Sequence, residues 1–326
     1  MRRREFISLL SGTAAAIALP FTARAQQTTK LPVVGMLSPF IDAESSFLSD
    51  FRKGLSYYGY SEGRNIKIEY RSAEGKVELL PSLVADLISR NVDIIVTSSA
   101  PAIHAARQAT HGIPIVMARV GDAVDQGFVS SLARPGGNIT GLSWFAPELS
   151  AKCLEFLKDT FPAMSHVAIF REAAGGAASA IAAGTAARSL GVKATLFQAR
   201  ELIEIENAFA AMADARVDAL VVLEGLLIFN NIKSIASMAL NARLPAIFFD
   251  SAFVDAGGLM SYGPNLTEMY RRSAYFVDRI LKGTKPGDLP VEQPTKFELA
   301  INLKTAKALD LTIPPSLLFR VDREVE

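Results

Sequence analysis

The strongest constraint on the fold is an alternation of short apolar runs with helical stretches that is written twice along the chain. The first series of runs is Val33 to Leu37, Ile66 to Tyr70, Asp93 to Thr97 and Ile113 to Met117. Between them, Phe47 to Tyr58, Leu79 to Ser89 and Pro101 to Ala109 carry apolar residues at helical spacing. The second series is His166 to Phe170, Val192 to Phe197, Asp218 to Val222 and Leu244 to Phe249. Strands buried on both faces read as near-continuous apolar runs, and strands alternating with helices build a parallel sheet covered by those helices. Details repeat as well: Gly63 and Gly191 precede the second run, Val92-Asp93 and Val217-Asp218 open the third, and Ile113-Pro114 and Leu244-Pro245 open the fourth. The expected architecture is α/β, with two similar doubly wound parallel-sheet lobes and a ligand cleft between them.

In such sheets a ligand lies off the carboxyl ends of the strands, so the loops that follow each strand are the segments of interest. They hold Ser38-Pro39-Phe40, Arg71-Ser72, Thr97-Ser98-Ser99 and Arg119-Val120-Gly121-Asp122 in the first lobe. In the second they hold Arg171-Glu172, Gln198, Glu224-Gly225 and Asp250-Ser251. Past Phe249 the pattern breaks: Gly257 to Pro264 reads as one more strand and turn, and a long helix runs from Leu266 to about Lys282. The helix is expected to return to the first lobe and the tail from Pro286 to the second. The expected division is 31–144 plus 259–283 for one lobe and 145–258 plus 284–326 for the other. Several crossings make a hinge that resists twist yet opens and closes.

Ser98 and Ser99 fall between a strand and a helix with Pro101 in its first turn. Either they cap that helix, or their hydroxyls and the free amides receive an anion such as a carboxylate. Glu224 and Asp250 end strands across the cleft, where a carboxylate either caps its own loop or receives a ligand ammonium. Arg119 and Asp122 pair with each other or lock a closed state, and Phe40, Trp144, Phe145 and Tyr262 are candidate aromatic walls. The candidate ligand-binding residues are thus Ser38, Phe40, Ser98, Ser99, Asp122, Glu224, Asp250 and Tyr262.

Catalysis has no sponsor in this sequence. His104, His111 and His166 include no pair at metal-ligand spacing, and neither a Gly-x-Ser-x-Gly elbow nor a phosphate-binding loop occurs. Cys153, the single cysteine, sits in a helical pattern and reads as a small core residue. No cofactor or metal is expected.

The first residues, Met1-Arg2-Arg3-Arg4-Glu5-Phe6, precede an apolar stretch from Ile7 to Pro20 and then Ala23-Arg24-Ala25. The apolar run falls short of the ~20 residues that span a bilayer, and Ala23-x-Ala25 offers small side chains to a signal peptidase. A signal peptide over 1–25, cleaved after Ala25, is expected, with Arg3-Arg4 resembling a twin-arginine export signal. Of the chain's 34 basic and 33 acidic residues, that segment holds four and one, which leaves a net charge of −2. That balance gives no support to nucleic-acid binding. After cleavage no stable membrane insertion is expected, and the product is expected to be a monomer in the periplasm.

Three blocks in the chain resemble a known family. They are Gly121-Asp122-Ala123-Val124 through Gly127 with Ser131 to Gly141, then Tyr262-Gly263-Pro264 with Tyr270-Arg271-Arg272 and Ile280 to Gly283, then Leu289 to Pro294 leading to Ile301-Asn302 and Ile313-Pro314. Together they are similar to the ABC transporter substrate-binding family that includes tryptophan- and phenylalanine-binding members, from about Leu31 to the C-terminus. Ala123 stands where the family usually has proline and Asp310 where it usually has glycine. The resemblance implies a type I periplasmic-binding fold. It also implies a solute-binding component that captures a small molecule, an amino acid among the candidates, and works with an ABC permease and its ATPase. A ligand sensor for a signalling receptor shares fold and cleft, and a cleft enzyme is the third reading.

Overall fold

A computed structural model describes residues 31–41, 47–144 and 146–326; the expected signal peptide and Phe145 lie outside the described residues. In chain order the first lobe holds β1 (Val33–Ser38), α1 (Phe47–Tyr57), β2 (Lys67–Ser72), α2 (Leu80–Ser89), β3 (Ile94–Ser98), α3 (Ala100–Ala109), β4 (Ile115–Arg119) and β5 (Ile139–Gly141). The strands lie in the order β2-β1-β3-β4-β5, all parallel. Side chains alternate across this sheet. Val34, Met36, Val96 and Val116 pack toward one layer, while Leu37, Ile95, Ile115 and Met117 pack toward the other with residues of α2 and α3.

The second lobe repeats the plan with α4 (Ala146–Thr160), β6 (His166–Glu172), α5 (Ala177–Ser189), β7 (Lys193–Ala199), α6 (Leu202–Asp214), β8 (Ala219–Val222), α7 (Leu226–Asn230), α8 (Ile232–Asn241), β9 (Ala246–Phe248), α9 (Ala252–Asp255) and β10 (Met260–Pro264). Then follow α10 (Leu266–Leu281), β11 (Phe297–Asn302), α11 (Leu303–Ala308), α12 (Pro315–Leu318) and β12 (Arg323–Val325). Among the described residues this sheet runs β12-β11-β10-β9-β8-β6-β7, with β11 antiparallel to β10. The order β7-β6-β8-β9-β10 matches that of the first lobe position for position.

One of the repeated sequence details has a clear role. Asp93 Oδ2 accepts the amide of Val33 at 2.7 Å, and Asp218 Oδ2 accepts those of Ser165 and His166 at 2.8 Å. In each lobe, then, an aspartate before the third strand anchors the start of the first.

Two placements differ from the sequence reading. The strand expected with the first lobe, β10, pairs with β9 and β11 in the second sheet, because Met260 and Ser261 are in register with Ile247 and Phe248 there. The tail also leaves the first lobe later than residue 284. Thr140 donates to the Leu289 carbonyl at 2.8 Å, Val291 to Leu132 at 2.7 Å and Glu292 to Gly141 at 2.9 Å, so the segment through 292 stays on β5. The chain therefore passes between the lobes after β5, after β10 and again before β11.

Helix α10 does return to the first lobe, as its apolar stripe requires. Met269, Tyr270, Ser273, Ala274, Phe276 and Val277 are buried, and Asn265 caps its start by accepting the Glu268 amide. It packs on α1 at Gly54, where a β-carbon would meet the carbonyl of Arg271. No helix among the described residues is long and apolar enough to cross a membrane.

Candidate functional site

The carboxyl ends of the two sheets face each other across a cavity of about 410 Å³. From the first lobe it is lined by Phe40 after β1, Ser99 after β3, Arg119, Gly121 and Asp122 at the end of β4, and Trp144 after β5. From the second come Glu172 at the end of β6, Ser179 at the start of α5, and Glu224, Gly225 and Leu226 after β8. The lobes meet beside this cavity. The Phe40 and Phe229 rings lie 4.7 Å apart, Leu226 packs on Phe40, and the Ile41 amide donates to Asn230 Oδ1 at 3.2 Å. This is a closed arrangement.

Arg119 is the unusual group. Only 6% of it is exposed, and its guanidinium carbon lies 4.5 Å from the Phe229 ring centre, 4.9 Å from Phe40 and 5.3 Å from Trp144. Among the described residues its Nη1 has no hydrogen-bond partner. Burial lowers its proton affinity, opposed by the charges of Tyr270, Asp250 and Glu224; an arginine stays protonated even so. The expected Arg119–Asp122 pair is not formed, because Asp122 Oδ1 accepts the amides of Val124 and Asp125 at 3.0 Å.

Ser99 sits at φ +66°, a conformation that costs a non-glycine residue about 1–3 kcal/mol and recurs at ligand clamps. Its side chain caps nothing and its buried Oγ has no partner among the described residues, which removes the capping explanation for it. Ser98, one residue earlier, points the other way and accepts the Tyr270 hydroxyl at 2.7 Å.

The facing carboxylates are held by their own lobe. Glu224 Oε1 accepts the Ser179 hydroxyl at 3.1 Å, and burial raises its pKa against that bond and the charge of Arg119. Asp250 Oδ1 accepts the Ala252 amide at 2.8 Å, and burial raises its pKa too, with Arg119 opposing. Glu172 accepts the Leu227 amide at 3.0 Å and so fixes α7 to the end of β6. A β-carbon at residue 225 would lie 2.6 Å from Glu172 Oε2, which explains the glycine there.

Of the residues singled out from sequence, Phe40, Ser99, Asp122 and Glu224 line the cavity. Ser38 stands behind it, accepting the Phe40 amide at 3.3 Å, and Ser98 and Asp250 are buried beneath it. Tyr262 is turned into packing with Phe156 at 4.8 Å and Phe297 at 5.9 Å. Phe229 and Ser179 were not picked out, and Glu172 was marked only as part of a strand-end loop; α7 has no amphipathic spacing to advertise Phe229.

Cys153 is buried in α4, with its thiol pushed up to about 12 by desolvation and then by the charge of Glu224. It should not react with a disulfide reagent at pH 8 in the native protein and should react fully in guanidinium, because the thiolate is the nucleophile. Fast labelling of the folded chain would contradict this burial.

Two doubly wound lobes, three interlobe passages and a cavity of apolar walls with a few polar groups between strand ends define a two-lobed solute-binding protein of the type I periplasmic-binding class. The chain belongs to the ABC transporter substrate binding protein family, whose sequence pattern matches residues 38–325. It is 29% identical over 269 residues to a tyrosine-binding protein of Clostridioides difficile (strain R20291), covering 80% of this chain and 75% of that one. The structure of an ABC domain in complex with L-Trp from Streptococcus pneumonia overlays with a TM-score of 0.82 at 24% identity, covering 90% of this chain and all of that one. The ligand-free, open structure of a substrate binding protein from Clostridium difficile gives 0.68 at 24% identity over the same shares.

Proposed function

We propose that this chain is the periplasmic solute-binding component of an ABC importer, and that it closes around a small aromatic amino acid and presents it to a permease and its ATPase. The observation that carries the reading is the closed cavity itself. It combines aromatic walls at Phe40 and Trp144 with polar groups of both lobes, Ser99 and Arg119 on one side and Glu224 on the other. Apolar walls with a few convergent polar groups are what a small-molecule site requires. A similarity to a tyrosine-binding protein supports the amino-acid class. Export and cleavage after Ala25 belong to the same reading and predict a mature chain that starts at Gln26.

Thermal melting of residues 26–326 with L-tryptophan, L-tyrosine and L-phenylalanine tests it. A ligand at a hundredfold over its Kd adds about 2.7 kcal/mol of stability, which raises Tm by about 5 °C in a protein of this size. No shift with any of the three, alongside a shift with an unrelated solute, would remove the aromatic amino acid and keep the receptor.

A further inference from the structure

We propose that Arg171 is a positioning residue for solute capture: its guanidinium holds the segment 173–176, which has almost no side chains, in the shape that forms part of the second-lobe wall of the cavity. The role rests on that cavity being the solute site.

From Ala174 to Ala178 five consecutive residues line the cavity, and none has a side chain larger than a methyl group. Such a segment cannot pack itself into place, and its two glycines lose more conformational freedom on ordering than other residues do. Its own backbone supplies little: the Ala173 amide donates to the Ala199 carbonyl at 2.8 Å and the Gly175 amide to the Glu172 carbonyl at 3.3 Å. The remaining hold comes from Arg171 at the end of β6. Its Nη1 donates to the Gly175 carbonyl at 2.5 Å and lies 3.2 and 3.3 Å from the carbonyls of Glu172 and Ala173. Its Nη2 donates to Gln198 Oε1 on β7 at 3.0 Å.

Two features mark this as a brace. Among the described residues the guanidinium meets carbonyl and amide oxygens and no carboxylate, so its planar fork is used for geometry, one edge on the segment and the other on β7. Its Nε is buried with no hydrogen-bond partner among the described residues, so the side chain gives up a bond of its own to reach the segment. Glu172, the next residue, accepts the Leu227 amide at 3.0 Å. The two residues that end β6 therefore fix two different parts of one wall. A wall set in advance spares the solute the ordering of the segment as it binds, and that raises affinity.

Arg171→Met, Arg171→Lys and Gln198→Leu test this in residues 26–326. Hydrogen exchange followed by mass spectrometry reads the peptides covering 172–178, and calorimetry reads the Kd of L-tryptophan, L-tyrosine and L-phenylalanine. In Arg171→Met the amides of Ala173 and Gly175 are expected to exchange about tenfold faster, with exchange elsewhere and the unliganded Tm unchanged. Affinity for the tightest of the three amino acids should fall about tenfold, and saturation with it should restore protection of the segment. Arg171→Lys keeps the charge and loses the fork, so it should resemble Arg171→Met. Gln198→Leu frees one edge of the guanidinium and should weaken binding about threefold.

Unchanged exchange of the segment in Arg171→Met, faster exchange with unchanged affinity, or a lysine variant that binds like the unaltered protein would overturn the proposal. A fall in Tm with faster exchange throughout the second lobe would also overturn it, since Arg171 would then stabilise the lobe as a whole. If the unaltered protein binds none of the three amino acids, the aromatic amino-acid reading fails by itself, and the exchange of 172–178 alone decides whether Arg171 holds the wall.

Discussion

Gly121→Leu is expected to abolish solute binding while leaving both lobes folded. Gly121 lies in the loop after β4, and a β-carbon there would already stand 3.4 Å from Glu224 Oε1 of the opposite lobe and 3.6 Å from Trp144 Nε1. Alanine fills that space; the branched carbons of leucine need room that only lobe separation provides. A receptor held open loses the second half of its ligand contacts, and the loss of affinity should exceed about a hundredfold, or roughly 2.7 kcal/mol. Gly121 does not adopt the left-handed backbone that favours glycine, so the first lobe itself tolerates a side chain. Calorimetry with the tightest amino acid reads the affinity, and small-angle scattering reads the lobe separation with and without it. An unliganded Tm within about 2 °C of the unaltered protein, the range of a surface substitution, together with lost binding, is the expected pair. Unchanged affinity would place the binding site outside this cleft.

Gly141→Ala should act on the fold instead. Gly141 takes φ +133°, and its absent β-carbon would fall 2.6 Å from the Met117 nitrogen and against the Met117 carbonyl. Met117 cannot yield, because it pairs with Gly141 in the β4–β5 ladder and accepts the Leu142 amide at 2.7 Å. Backbone strain and overpacking each cost about 1–3 kcal/mol, so a loss of about 3–4 kcal/mol is expected. Urea denaturation at constant m-value measures it. The same change disturbs the passage that carries Trp144 into the cavity, so affinity should fall as well. A loss below about 1 kcal/mol would mean that β5 is not held as described.

Most of the scaffold was legible because its signals are local. The central strands of both sheets are buried on two faces and show as apolar runs, and Asp93 and Asp218 repeat for a reason that the backbone makes plain. The membership of β10 was not legible. Its partners, β9 and β11, are set by tertiary packing, and a strand next to an interlobe passage fits either sheet by composition. Helix α5 carries so many alanines that its two faces differ little, and α7 is a short apolar turn whose meaning appears only when Phe229 meets Phe40.

The candidate site followed the rule of strand ends only as far as side-chain direction allowed. Adjacent loop residues point opposite ways, so Ser99 faces the cavity while Ser98 turns to Tyr270. Arg119 was visible as a charge at the end of a strand. Whether it paired with Asp122 depended on Asp122 capping its own turn, a competition between near-equal local bonds that spacing does not decide. Carboxylates raise the same difficulty: Glu224 and Asp250 both end strands, yet only Glu224 reaches the cavity wall.

On the proposed function a small aromatic amino acid is held between the lobes. Trp144, the chain's only tryptophan, lines that cavity, and its selectively excited emission reports directly on occupancy. Titration of residues 26–326 with L-tyrosine and L-phenylalanine should give a saturable, single-site change in that emission for at least one of them, absent in the Gly121→Leu variant. No change with either, or an identical change in the variant, would contradict an aromatic amino acid as the ligand of this cleft.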